Sequence, residues 1–138
     1  MSRIIVDTGP LVAYLDRSDH DHPWAKDQFM SQTDPLLTCE AVIAETLFLL
    51  GRGGIAPDGL LALVERDLVI PEFSLRPEIE AVSKLMRTYR DTPMSLADAC
   101  LVRMSEIDEN SLIMTLDSDF TVYRKSRRRI VPVIMPPR

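Results

Sequence analysis

The chain opens on Ile4-Ile5-Val6-Asp7-Thr8-Gly9, and this stretch limits the available folds more than any other. A short β-branched apolar run reads as a buried strand. It ends abruptly in a carboxylate, a hydroxyl and a glycine, and Pro10 then suits the first turn of a helix, where its missing N–H costs nothing. An apolar strand passing straight into a helix fits an open parallel α/β sheet covered on both faces. In such sheets ligands bind outside the carboxyl ends of the strands, where the strand order reverses. Asp7 is therefore well placed to hold something.

The rest of the chain repeats the pattern. Strands are expected at 3–7, 36–38, 68–70 (closed by Pro71), 111–114 and 130–134, the last at an edge because it carries Pro132. Helices are expected from Gly9-Pro10 to Asp16, after His22-Pro23, over 40–50 with Gly51 as the C-cap, over 58–66, over 78–89 and from Ser95 to about Ile107. Strands alternating with helices imply a mostly parallel sheet with helices on both sides. No repeat, linker or low-complexity tract interrupts the chain, so residues 1–138 read as a single domain, long enough to bury about 70% of its unfolded surface. Cys39 and Cys100 lack metal or redox spacing and read as reduced core residues. No leader and no apolar run of membrane length is present, which makes a soluble cytoplasmic protein the expectation. The net charge of −5 is not the basic balance of a protein that grips nucleic acid with its whole surface. A carboxylate cluster loaded with divalent cations, however, counts as negative in that sum and behaves otherwise.

Three further carboxylates share the character of Asp7. Helical spacing places Glu45 near the middle of the apolar face formed with Val42, Thr46 and Leu49. Asp98 shares a face with Met94, Leu101 and Val102, and Asp117 follows the fourth strand. Each has a local explanation. Asp7 can cap a helix, Asp98 can close a capping box with Ser95, Asp117 can make a turn, and Glu45 can pair with an arginine. One shared cause accounts for all four more simply. Carboxylates about 4 Å apart repel by roughly 4 kcal/mol per pair at an effective dielectric of 20, so the group needs protons or cations. All-oxygen ligands select hard ions, Mg²⁺ or Mn²⁺. Such a cage suits phosphodiester hydrolysis by metal-activated water. No Gly-x-Ser-x-Gly elbow offers a side-chain nucleophile, and His20 and His22 lie together in another loop.

Val6-Asp7-Thr8-Gly9 with Leu11-Val12-Ala13, then Ala44-Glu45, Leu96-Ala97-Asp98-Ala99 and Thr115-Leu116-Asp117-Ser118-Asp119-Phe120 together resemble the PIN domain, most closely the VapC-type toxins of toxin–antitoxin pairs. The resemblance spans nearly the whole chain in the right order. It implies a three-layer α/β/α sandwich and a Mg²⁺- or Mn²⁺-dependent endoribonuclease. By motif position Asp7, Glu45, Asp98 and Asp117 would be the acidic quartet, with Asp7 and Asp98 holding the ion most directly. Thr8 and Thr115 would orient ligands or water, and Asp119 could share or replace the role of Asp117. A homodimer and a small inhibitory antitoxin are implied as partners beside the RNA. The basic run Arg124, Lys125, Arg127, Arg128 and Arg129 is the natural candidate for RNA phosphate contact, with a solvated surface loop as its alternative. Arg87 and Arg90 are similar, with helix-end electrostatics as theirs.

Other readings have weaker support. A PIN nuclease of RNA processing or repair would look the same in sequence. A silent metal- or partner-binding module would keep the acids without the activity. A receiver-type phospho-acceptor module would want paired acids after the first strand and a lysine after the last. A haloacid-dehalogenase-type phosphatase would want an acid where Gly9 stands.

Overall fold

The computed structural model describes residues 2–126 and 128–137. Five strands form one sheet in the order β3-β2-β1-β4-β7. These are β1 (Arg3–Val6), β2 (Leu36–Cys39), β3 (Val69–Phe73), β4 (Ser111–Met114) and β7 (Val133–Ile134). Every neighbouring pair is parallel, and Ile5 of the central strand faces Leu37 on one side and Ile113 on the other. The helices are α1 (Thr8–Leu15), α2 (His22–Ser31), α3 (Glu40–Arg52), α4 (Asp58–Glu65), α5 (Ile79–Thr88) and α6 (Leu96–Ile107).

The chain travels outward from β1 through β2 to β3, then returns to lay β4 on the other flank of β1. Right-handed crossovers put α1 to α4 on one face and α5 and α6 on the other. The packing agrees, since α1 meets α2, α3 and α4, whereas α5 meets α6. The result is the expected α/β/α sandwich with a parallel sheet. Its core runs through Ile5, Val6, Leu11, Val42, Leu101, Ile113 and Met114, all buried. The reversal falls between β1 and β4, which makes their carboxyl ends the switch point of the sheet.

Element boundaries differ from expectation in three places. Helix α3 runs on to Arg52, past Gly51, because the Gly53 N–H still reaches the carbonyls of Leu49 and Leu50, and Gly54 with φ +75° makes the left-handed turn. Pro71 does not close β3 but lies inside it. That strand is an edge paired only with β2, so a missing N–H can face away from the ladder. The last expected strand is divided. Ile130 joins a separate antiparallel ribbon of β5 (Arg124–Lys125) and β6 (Arg129–Ile130), while β7 takes the sheet edge. Cys39 and Cys100 are free and buried. Among the described residues no helix is long and apolar enough to cross a membrane.

Candidate active site

Backbone geometry sets Asp7 first. Its N–H completes the β1–β4 ladder on the Met114 carbonyl at 2.9 Å, and its side chain then caps α1, with Oδ1 accepting the Thr8 N–H at 2.7 Å. Oδ2 accepts the Thr115 hydroxyl at 2.7 Å, and Thr115 Oγ1 in turn accepts the Asp117 N–H at 2.9 Å. One threonine thus ties the acids after β1 and β4 together. Gly9 lets the first turn of α1 approach this loop closely, since a Cβ there would stand 3.1 Å from Leu116 Cβ. Asp117 Oδ1 accepts the Asp119 N–H at 2.8 Å.

Asp98 enters from the other face. Ser95 caps α6, and the reciprocal capping box of Ser95 with Asp98 is present. Asp98 Oδ2 also accepts the Tyr123 hydroxyl at 3.0 Å. The capping role and the site role coexist, because a capping contact occupies only part of a carboxylate's acceptor capacity. Tyr123 is fully buried, with its ring edge-on to Phe120 and Tyr89, each at 5.2 Å. No local motif could have announced its link to an acid 25 positions away.

One groove of about 520 Å³ is lined by Asp7, Thr8, Glu45, Asp98 and Asp117, with Asp19, Asp21 and Ser95 also on its wall. All four members of the expected quartet therefore line the same groove. Glu45 requires a correction. It is exposed, not buried in the apolar face of α3, because Val42, Thr46 and Leu50 form the buried stripe one position away. Asp19 and Asp21 come from the loop between α1 and α2, and no sequence motif singled them out.

Burial raises the Asp7 carboxyl to about 7, against the pull of the Thr115 and Thr8 hydrogen bonds, and repulsion from Asp98 and Glu45 adds to the rise. Asp98 is also raised, first by burial and further by Asp117, with Tyr123 and Ser95 opposing. The site thus holds nearly buried carboxylates whose ionised forms disfavour one another. Thr8 Oγ1 is buried on the groove wall with no hydrogen-bond partner among the described residues. Such an orphan calls for a polar occupant. Among the described residues no three Asp, Glu, His or Cys side chains converge as a ready-made metal cage. A Mg²⁺ ion keeps several waters and takes only one or two carboxylates. Asp7 and Asp98, with oxygen donors alone, fit it.

The basic run is dispersed by the fold. Lys125 is withdrawn as a surface contact, since it is buried and its Nζ donates to the Ser105 carbonyl at 3.1 Å. The Arg124 guanidinium caps the carbonyls of Thr121, Val122 and Tyr123. Arg129 pairs with Glu109 at 2.9 Å, Arg128 is exposed, and Arg127 lies outside the described residues.

The PIN domain profile matches residues 4–126, taking in every acid of the groove. The chain belongs to the PIN domain family. It is 31% identical over 119 residues to ribonuclease VapC26 of Mycobacterium tuberculosis, covering 83% of this chain and 86% of that protein. The PIN fold is also shared with the crystal structure of VapC20 of the same species, described as a sarcin-ricin-loop-cleaving toxin. There the TM-score is 0.75 at 23% identity, over 86% of this chain and 93% of the other.

Proposed function

We propose that this chain is a Mg²⁺- or Mn²⁺-dependent endoribonuclease, the toxin of a toxin–antitoxin pair. A small cognate antitoxin inhibits it, and it acts as a cytoplasmic homodimer. The observation that carries the nuclease reading is the pairing of Asp7 and Asp98, nearly buried acids from opposite faces of the sheet that line one groove at the switch point. Ribonuclease VapC26 supports RNA as the substrate, and the VapC20 toxin supports the toxin role.

The chemistry a bound divalent ion supplies is a nucleophilic water at neutral pH and neutralisation of charge on the phosphate. The protein's part is positional. Thr8 N–H and Thr115 Oγ1 fix Asp7, while Ser95 and Tyr123 fix Asp98, so the two ligands are held before the ion arrives. Glu45 and Asp117, less buried on the groove wall, accept the proton released by the attacking water.

The test is cleavage of a mixed RNA pool by wild type and Asp98→Asn, each with Mg²⁺, with Mn²⁺ and with chelator. Cutting is expected only from wild type with metal, at a rate at least 100-fold above the variant's. Equal cutting by a folded Asp98→Asn protein would remove the assigned mechanism. Growth arrest of a bacterial host on expression, relieved by the same substitution, is the expected sign of toxin function.

A further inference from the structure

A polyanion must reach the acidic groove of a chain of net charge −5, and the fold has spent several of its cations. Arg3 is paired with Glu72 and Asp108, Arg103 with Glu78 and Glu106, and Arg129 with Glu109. Arg124 and Lys125 are committed to carbonyls. Arg17 and Lys26 are not. Both are exposed, and neither side chain has an ion pair or hydrogen bond among the described residues.

These two cations line one hollow of about 710 Å³ together with Tyr14, Leu15, His22 and Met30. Its wall is partly aromatic, since Tyr14 stacks on Phe29 with ring centroids 4.3 Å apart. His22 is oriented by a 2.8 Å contact between Nδ1 and the Ala13 carbonyl. Asp16, which precedes Arg17 in the chain, is turned onto Ser18, whose N–H and hydroxyl both donate to its Oδ1.

The hollow and the groove are both lined from the loop between α1 and α2. The short loop between α1 and α2 sorts its charges, with Asp19 and Asp21 on the groove wall and Arg17 and His22 on the wall of the hollow. Arg17 is two residues from Asp19, at most about 7 Å along the backbone, and His22 follows Asp21 directly. We infer that the Arg17–Lys26 hollow is a subsite for single-stranded RNA, holding the backbone phosphates next to the scissile one while a base rests against the Tyr14–Phe29 stack. This rests on the ribonuclease reading and adds to it the path of the substrate. Cations beside an aromatic surface are the usual means of holding single strands without reading sequence. An acidic peptide would use the charges equally well, but it has no need of the metal groove.

The test compares wild type with Arg17→Gln/Lys26→Gln, binding a fluorescent single-stranded RNA pool in chelator across a salt series. Chelator stops cleavage, and the repulsion of the empty carboxylates is common to both proteins. Two lost phosphate contacts should lower the salt slope by about 1.4, so the affinity advantage of wild type should shrink about sevenfold between 50 and 200 mM salt. The loss should be uniform across RNA sequences, with thermal stability unchanged, since neither side chain has a partner to lose. With Mg²⁺ the variant should show KM raised at least tenfold at unaltered kcat, and Arg124→Gln/Arg129→Gln should show neither effect. An unchanged slope and KM in the double variant would overturn the subsite while leaving metal-dependent cleavage, and hence the nuclease, intact. Binding of polyglutamate but not RNA at the hollow would overturn it in favour of protein docking.

Discussion

Asp7 accepts two hydrogen bonds that favour its charge and still holds its proton to about 7, because burial and neighbouring carboxylates outweigh them. The unfolded chain would release that proton near 4. Between these values the folded state binds more protons than the unfolded one, so each rise in pH favours unfolding. Metal-free protein is therefore expected to lose stability from about pH 4 to about pH 7, by on the order of 3–4 kcal/mol at most. Asp98, raised in the same direction, adds to the slope. Asp7→Asn should flatten it and leave the metal-free protein more stable than wild type at pH 8, since the amide can meet Thr8 N–H and Thr115 Oγ1 without a buried charge. Urea unfolding in chelator at several pH values measures this. A slope unchanged in the variant would place the burial penalty on another group.

At the scale of elements, the segment after β4 is fastened to α6 from behind the site. Tyr123 gives its hydroxyl to Asp98, Tyr89 accepts the Arg124 N–H at 2.8 Å, and Lys125 reaches the Ser105 carbonyl of α6. The first and last of these bonds tie the segment that follows Asp117 to the helix bearing Asp98, and the second ties it to the end of α5. Tyr123→Phe keeps the ring packing and removes one bond to the acid. It should cost about 1 kcal/mol of stability. It should also weaken Mn²⁺ binding, read by the spectrum of the free ion, by about 10- to 100-fold, as loss of a group supporting a metal ligand commonly does. Equal Mn²⁺ affinity in both proteins would reduce Tyr123 to a packing residue.

For the whole molecule, two faces of one sheet each deliver acids to a switch point, at a cost to the metal-free fold. An ion that binds only the folded state returns that stability by mass action, about 2.7 kcal/mol at 100 times its dissociation constant. The melting temperature should therefore rise with Mg²⁺ or Mn²⁺, more at pH 8 than at pH 5.5, where a proton on Asp7 competes. Asp98→Asn should remove most of the rise. A melting temperature indifferent to both ions in wild type would argue against a resident metal.

Periodicity and turn chemistry were enough to read the parallel sheet and the carboxylate at the end of its first strand, because a short β-branched run followed at once by a carboxylate has few structural meanings. The Ser95–Asp98 box and the edge position of the last strand were equally local, and equally legible. Local spacing could not tell which side of a helix meets the core and which faces a groove. Glu45 and the buried stripe of α3 differ by one position, and the choice between them belongs to the elements packed around that helix. Nor could it show that a lysine in a basic run would be buried, that Tyr123 would reach Asp98, or that one loop would send Asp19 to the groove and Arg17 to the hollow. Those contacts join positions whose distance in the chain carries no signal, and they exist only once the crossovers have laid the layers on each other.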